Sequence, residues 1–174
     1  MRTRLHASMP RRGAKRTQGF FPNNSLLPDP LKQRALAWQR ILAGASHSTQ
    51  VFVAESDAEV VGFGACGAQR TDSLQHRGYD AEISGIYFLQ LAQRQGLGRR
   101  LMWIMAADLR TRGFTGVALW VLRDNIQARH FYESRGGVVV AEKIDDRGEG
   151  LILCEVAYGW PDLSLLIEIA EGFP

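Results

Sequence analysis

The stretch Gln93-Arg94-Gln95-Gly96-Leu97-Gly98-Arg99 is entered from an apolar run, Ile83 to Leu89, and left through Arg100-Leu101-Met102-Trp103-Ile104-Met105. This order reads as a strand, a tight glycine turn and a helix, so it obliges a strand end and a helix start to lie side by side. Glycines at a helix's first turn let backbone amides approach a ligand closely, and those amides carry the positive end of the helix. The arrangement suits a phosphate cradle, although an ordinary strand-to-helix turn uses the same residues and the rest of the chain has to decide. No Lys-Ser or Lys-Thr follows the last glycine and no full G-x-G-x-x-G occurs, which disfavours a Walker-type NTPase and a Rossmann dinucleotide site.

The remaining elements follow from periodicity. Leu31 to Ala43 repeats apolar residues at helical steps and is closed by Gly44, after a loop-like Pro22 to Pro30. Val51 to Ala54 and Val60 to Cys66 flank a polar turn and predict a hairpin. Thr71 to Tyr79 is polar, lacks periodicity and reads as a loop. Glu82 to Leu89 is the strand before the glycine turn, and the helix after it sets Leu97, Leu101, Ile104 and Met105 on one side and ends near Gly113. Val117 to Leu122 is apolar almost throughout, as in a strand buried on both faces. Ile126 to Ser134 predicts a helix stopped by Gly136-Gly137. Val138 to Glu142 and Leu151 to Tyr158 predict two late strands around Asp145-Asp146-Arg147-Gly148, and the segment from Trp160 to Pro174 is apolar enough to pack against the domain, at a place the pattern does not specify. Hairpin, strand, helix, strand, helix, hairpin implies a mixed sheet with helices on it, with ligand chemistry where parallel strands end.

With 174 residues, 45% of them hydrophobic, one domain with a sizeable core is expected. The net charge of +3 is concentrated at the start, where residues 1 to 16 hold Arg2, Arg4, Arg11, Arg12, Lys15 and Arg16 and no acid; the remainder carries 15 basic against 18 acidic residues. Residues 1–20 therefore read as a basic, disordered leader, with Met9 an alternative start, and 21–174 as the domain. No basic and aromatic interleaving elsewhere supports nucleic-acid binding. No apolar stretch reaches bilayer-spanning length and no signal-peptide core follows the arginines, so a soluble, cytoplasmic protein is expected. Cys66 and Cys154 read as buried free thiols, and His47, His76 and His130 have no metal spacing, His130 being a surface residue.

The turn matches Q-x-x-G-x-G, and Leu119 to Gly136 contains N-x-x-A-x-x-F-Y-x-x-x-G from Asn125 through Ala128, Phe131, Tyr132 and Gly136. In that order the two motifs, covering roughly residues 82 to 137, resemble the GNAT-type N-acetyltransferases. The resemblance implies an α/β fold: a mixed, mostly antiparallel central sheet with helices on both faces and a parallel strand pair splayed at the acetyl-CoA site. It also implies acetyl-CoA as co-substrate and no metal. The pyrophosphate is expected on the turn comprising Arg94, Gln95, Gly96, Leu97, Gly98 and Arg99, and the pantetheine along Ile86, Tyr87 and Phe88 and beside Asn125 and Ala128. One departure is Gly137, where the family commonly carries a large residue.

Single residues keep two readings each. Asn125 could cap its helix, but Asp124, with Gln127 completing a capping box, suits that task and leaves Asn125 for the ligand. Tyr132 is either a core aromatic or, as the resemblance implies, the acid that protonates the departing thiolate; a phenol stays protonated at neutral pH. Acetyl transfer to an ammonium needs a base, and Glu82 fits if its side matches Ser84 and Ile86, with Asp80 and Tyr79 as alternatives and a solvent-facing charge as the bland reading. Asp72, Asp80 and Glu82 together hint at a cationic acceptor. The expectation is an N-acetyltransferase acting on an amine of a small molecule or peptide by direct attack, the acceptor unknown and a homodimer left open; the alternative is an acyl-CoA-binding sensor without turnover.

Overall fold

The computed structural model describes residues 3–6, 49–146 and 152–171. Its frame is a seven-stranded sheet ordered β1-β2-β3-β4-β5-β7-β6, with β1 Thr3–His6, β2 Gln50–Ser56, β3 Glu59–Ala68, β4 Ala81–Phe88, β5 Val117–Leu122, β6 Val138–Asp146 and β7 Ile152–Trp160. The β2–β3, β3–β4, β5–β7 and β6–β7 pairs are antiparallel, whereas β1–β2 and β4–β5 are parallel. The helices are α1 Asp72–Gln75, α2 Leu97–Thr111, α3 Ile126–Glu133 and α4 Leu163–Glu171. The expected mixed, mostly antiparallel sheet is thus present.

The β2–β3 hairpin forms as its alternation requires, closed through Asp57 and Ala58, both at positive φ, the backbone of a tight two-residue hairpin turn. Three features differ from the sequence expectation. The Thr71 to Tyr79 segment is not a plain loop: α1 gives it one helical turn that buries Leu74 completely against Tyr79, Ala118 and Ala157. A single apolar residue in four leaves no periodicity to detect. Within the basic segment expected to lack structure, Thr3–His6 joins the sheet beside β2, with Thr3 opposite Phe52. Asp145 and Asp146, expected in a turn, extend β6, and residues 147–151 of that turn lie outside the described residues, as does the Leu31 to Ala43 helix.

The core lies on one face of the sheet. Phe52, Cys66, Ile83, Leu119, Val156 and Tyr158 meet Leu101, Met102, Met105 and Leu109 of α2, and Leu163, Leu166 and Ile167 of α4 close the same cluster. This gives the apolar C-terminal segment its place, against α2. Leu74 of α1 packs on the opposite face, so helices flank both.

The β4–β5 ladder is short. Ala81 pairs with Val117 and Glu82 with Ala118, after which the two strands part while β4 stays on β3 and β5 on β7. A β-bulge accompanies the parting: Cys66 faces Ile83 but Ala65 faces Gly85, leaving Ser84 as the extra residue in β4. Bulges bend the strand that carries them, which fits the change of course here.

Candidate active site

The opening between β4 and β5 is approached by the start of α2. Gly96 sits at the helix N-cap with φ 77°, a conformation that L side chains adopt only at a cost, and no side chain caps this end. The first i→i−4 bond runs from Arg100 N–H to the Gly96 carbonyl, so the amides of Leu97, Gly98 and Arg99 precede the helical ladder. No acidic side chain lies in this first turn, leaving the positive end of the dipole uncompensated. Arg94, at φ 60°, shapes the entry to the turn. Gln93 donates from Nε2 to the Phe88 carbonyl at 3.1 Å and Gln95 to the Leu91 carbonyl at 2.8 Å, tying the loop to the strand it leaves.

The two sequence motifs meet physically. A Cβ on Gly98 would lie 3.5 Å from the Phe131 ring and 3.9 Å from Phe88, and Gln127 Nε2 of α3 donates to Gln93 Oε1 at 3.3 Å. The helix after the glycine turn, the end of β4 and α3 therefore form one assembly. The cap of α3 differs from the expectation: Asn125, not Asp124, is the N-cap residue, and its Oδ1 accepts from the Ala128 N–H at 3.2 Å. Gln127 points to Gln93 and makes no capping box. Both Asp124 and Asn125 have a suitable side chain, and the helix starts one residue later than Asp124 requires. The cap uses Oδ1 of Asn125 and leaves its amide Nδ2 outside the capping bond.

Tyr132 is buried, with its ring 5.4 Å from Phe131, 5.9 Å from Tyr158 and 6.3 Å from Trp160, centroid to centroid. Burial, and secondarily the nearby Tyr87, push its hydroxyl well above the usual phenol range. Behind it, Tyr158 donates to Glu133 and accepts from Arg129 Nε at 3.1 Å, pinning α3 to β7. Gly137 has a clear reason. A Cβ there would come within 2.6 Å of the Trp160 indole, whose Nε1 donates to the Arg135 carbonyl at 2.8 Å, so Trp160 fills the space beside the glycine.

Glu82 is buried on the face opposite the main core, its carboxylate gripped by Arg70. Arg70 donates from Nε to Oε2 at 3.1 Å, from NH2 to Oε1, and from its backbone N–H to Oε2 at 3.3 Å. The bulge at Ser84 means that Glu82 and Ile86 do not share a face, although Arg70 NH2 also reaches Ser84 Oγ at 3.4 Å. Asp80 is engaged elsewhere: its oxygens accept from the Thr115 N–H, the Thr115 hydroxyl and the Gly116 N–H, each at 3.0 Å. The carboxylates that hinted at a cationic acceptor are thus spent on Arg70 and on the β5 entry, with only Asp72 exposed. Arg70, Trp120, Tyr158 and the Gln93–Gln127 bond carry no local sequence signal, since each acts through a partner remote in the chain. Among the described residues, no group of three or more His, Cys, Asp or Glu side chains is placed to hold a metal ion, and no helix is long and apolar enough to cross a membrane.

The mixed sheet parts between two parallel strands beside a helix start that no side chain caps, the arrangement that the resemblance to the N-acetyltransferases implies. A family model for the acetyltransferase (GNAT) family matches residues 18–137, spanning the glycine turn and α3. The chain belongs to the GNAT acetyltransferase family. YuaI of Bacillus subtilis (strain 168), an uncharacterized N-acetyltransferase, is 40% identical over 119 residues, 67% of this chain and 65% of its own. An uncharacterized N-acetyltransferase of Archaeoglobus fulgidus is 36% identical over 85 residues, 49% of this chain and 57% of its own. The chain thus spans less than two thirds of the length of these curated relatives. Among solved structures, yncA of Salmonella typhimurium, determined with its cofactor acetyl-CoA, shares the fold with a TM-score of 0.56 at 22% identity, over 80% of this chain and 77% of that one.

Proposed function

We propose that this protein transfers an acetyl group from acetyl-CoA to a primary amine of a small molecule or peptide by direct attack in a ternary complex. The observation that carries the reading is the contact of the two motifs around one opening, where Gly98 lies against Phe131 and Phe88 beside the parted strands. The amides of residues 95–99 offer the pyrophosphate a cluster of donors at a helix's positive end, with Arg94 and Arg99 alongside. The stretch Ile86, Tyr87 and Phe88 of β4, which lies beyond the last β4–β5 pair, Glu82 with Ala118, offers backbone groups to the pantetheine, and Asn125 Nδ2 and the surface around Ala128 flank it.

Glu82 takes the proton from the acceptor ammonium, and the freed nitrogen lone pair attacks the thioester carbonyl carbon. A backbone N–H of β4 stabilises the oxyanion. As the carbon–sulfur bond breaks, Tyr132 gives its proton to the thiolate. The raised value of Tyr132 keeps that proton in place through the neutral range and makes donation depend on the charge developing on sulfur. Free Cys66 and Cys154 suit the reducing cytoplasm that this reading assigns.

Acetyl-CoA at about 100 times its dissociation constant should raise the melting temperature by roughly 5–10 °C. Tyr132→Phe should retain that shift and lower kcat by about 10²-fold or more, measured as CoA release over a panel of amines, peptides and aminoglycosides. A folded wild-type protein with no acetyl-CoA shift defeats the reading. The rival, an acyl-CoA sensor without turnover, draws on the engagement of Glu82 by Arg70 and predicts the shift with no CoA release across the panel.

A further inference from the structure

The acceptor side of the opening is crossed by three consecutive residues. Gln69 is buried; its Nε2 donates to the Ala81 carbonyl at 3.2 Å, and its Oε1 accepts from the N–H groups of Arg70 and Thr71, both at 3.1 Å. This side chain fixes the backbone of the next two residues. Thr71 then accepts from Trp120 Nε1 of β5 at 3.3 Å, while Arg70 grips Glu82 of β4. Gln69-Arg70-Thr71 is therefore anchored to both parallel strands where they begin to part.

Burial is unequal within the ion pair. The Glu82 side chain is 9% exposed and the Arg70 side chain 69%. Both carboxylate oxygens already accept from the guanidinium, and Arg70 lies between Glu82 and solvent. A nearly buried carboxylate is costly without a cation, so Glu82 cannot simply shed Arg70 to meet a neutral molecule. An incoming ammonium can replace the guanidinium charge for charge. The exposed Arg70 side chain has room to swing away while Gln69 and Thr71 hold its backbone.

Resting on the reading that Glu82 serves an amine acceptor, we propose that Arg70 is an exchangeable gate: its guanidinium occupies the acceptor's place on Glu82, and only a group bearing a positive charge displaces it. Arg70 is then a specificity-determining residue that admits alkylammonium acceptors and excludes alcohols and weakly basic aromatic amines. The gate also keeps Glu82 paired when no acceptor is present.

The test reads cation exchange at Glu82 without turnover, using melting temperatures of the full chain in sodium chloride against equal concentrations of n-butylammonium or methylguanidinium chloride. Arg70→Ala should melt below wild type, and either organic cation should restore about 3 °C or more relative to sodium. Wild type should respond less at the same concentration, because its tethered guanidinium competes. The response should vanish in Arg70→Ala/Glu82→Gln. Equal shifts in wild type and Arg70→Ala, no cation-specific shift in Arg70→Ala, or a shift that survives Glu82→Gln each overturns the gate. If Arg70→Ala does not fold, Arg70→Gln, which keeps most of the side chain's length, provides the same readout. An acetyl-CoA shift on wild type, measured in parallel, separates failure of the gate from failure of the acetyltransfer reading.

Discussion

Cys66 shows how firmly one residue's surroundings determine its chemistry. It lies fully buried under α2, with its thiol directed at the Met105 carbonyl, and burial raises its pKa from 9.0 to about 12, with Asp108 adding to the rise and Arg112 opposing it. A raised value in the folded state means that folding favours the protonated thiol. That contribution is complete below pH 9 and is lost as pH climbs from 9 toward 12, at up to about 1.4 kcal/mol per pH unit. Urea unfolding at pH 8, 9.5 and 10.5 should show this decline in wild type and a shallower one in Cys66→Ala. Identical slopes would mean that Cys66 does not titrate between the two states. The same scale explains the exchange of roles at the start of α3. Asp124 and Asn125 are both good caps by residue type, so choosing between them from sequence needs the helix start to within one residue. That start is set by where β5 ends and where Phe131 and Tyr132 must reach the core.

At the scale of elements, the strand, glycine turn and helix were legible because each follows from local pattern: the apolar run of β4, the paired glycines of the turn, and apolar steps along α2. The one-turn α1 was not, because Leu74 is its only buried residue. Neither was the bulge at Ser84, which depends on the register of β3 against β4. The roles of the two glycines in the turn separate by substitution. Gly98 has ordinary space for a methyl group, 3.5 Å from Phe131, and no positive φ. Gly98→Ala should therefore leave stability unchanged or raise it by up to about 1 kcal/mol through helix propensity. If a phosphate approaches this backbone, the same substitution should weaken acetyl-CoA binding, measured by calorimetry. Gly96→Ala should instead cost about 1–2 kcal/mol, because φ 77° strains any L side chain. Unimpaired acetyl-CoA affinity in a stable Gly98→Ala protein would remove the close-approach argument for the turn.

Across the whole molecule, what sequence could not provide was the pairing of distant surfaces. The apolar residues of α4 announced burial but not a destination, since their partners on α2 lie about sixty residues earlier in the chain. Arg70 likewise becomes informative only when β3, β4 and β5 are assembled around it. The placement of α4 has a consequence for how stability and ligand binding divide. Leu163, Leu166 and Ile167 join the cluster formed by Leu101, Met105 and Leu109, on the sheet face that carries the main core. None of these three belongs to the glycine turn, the β4 edge or the start of α3. Leu166→Ala should therefore cost about 2–5 kcal/mol through lost burial and the cavity left beside α2, lowering the melting temperature by roughly 5–15 °C. The variant's acetyl-CoA affinity at a temperature where it remains folded should stay within about twofold of wild type, since Leu166 itself belongs to none of the segments placed at the ligand and its loss is expected to be absorbed locally, as a cavity beside α2. A large loss of affinity in folded Leu166→Ala would show instead that α4 holds α2, and with it the bare helix start, in position for the ligand.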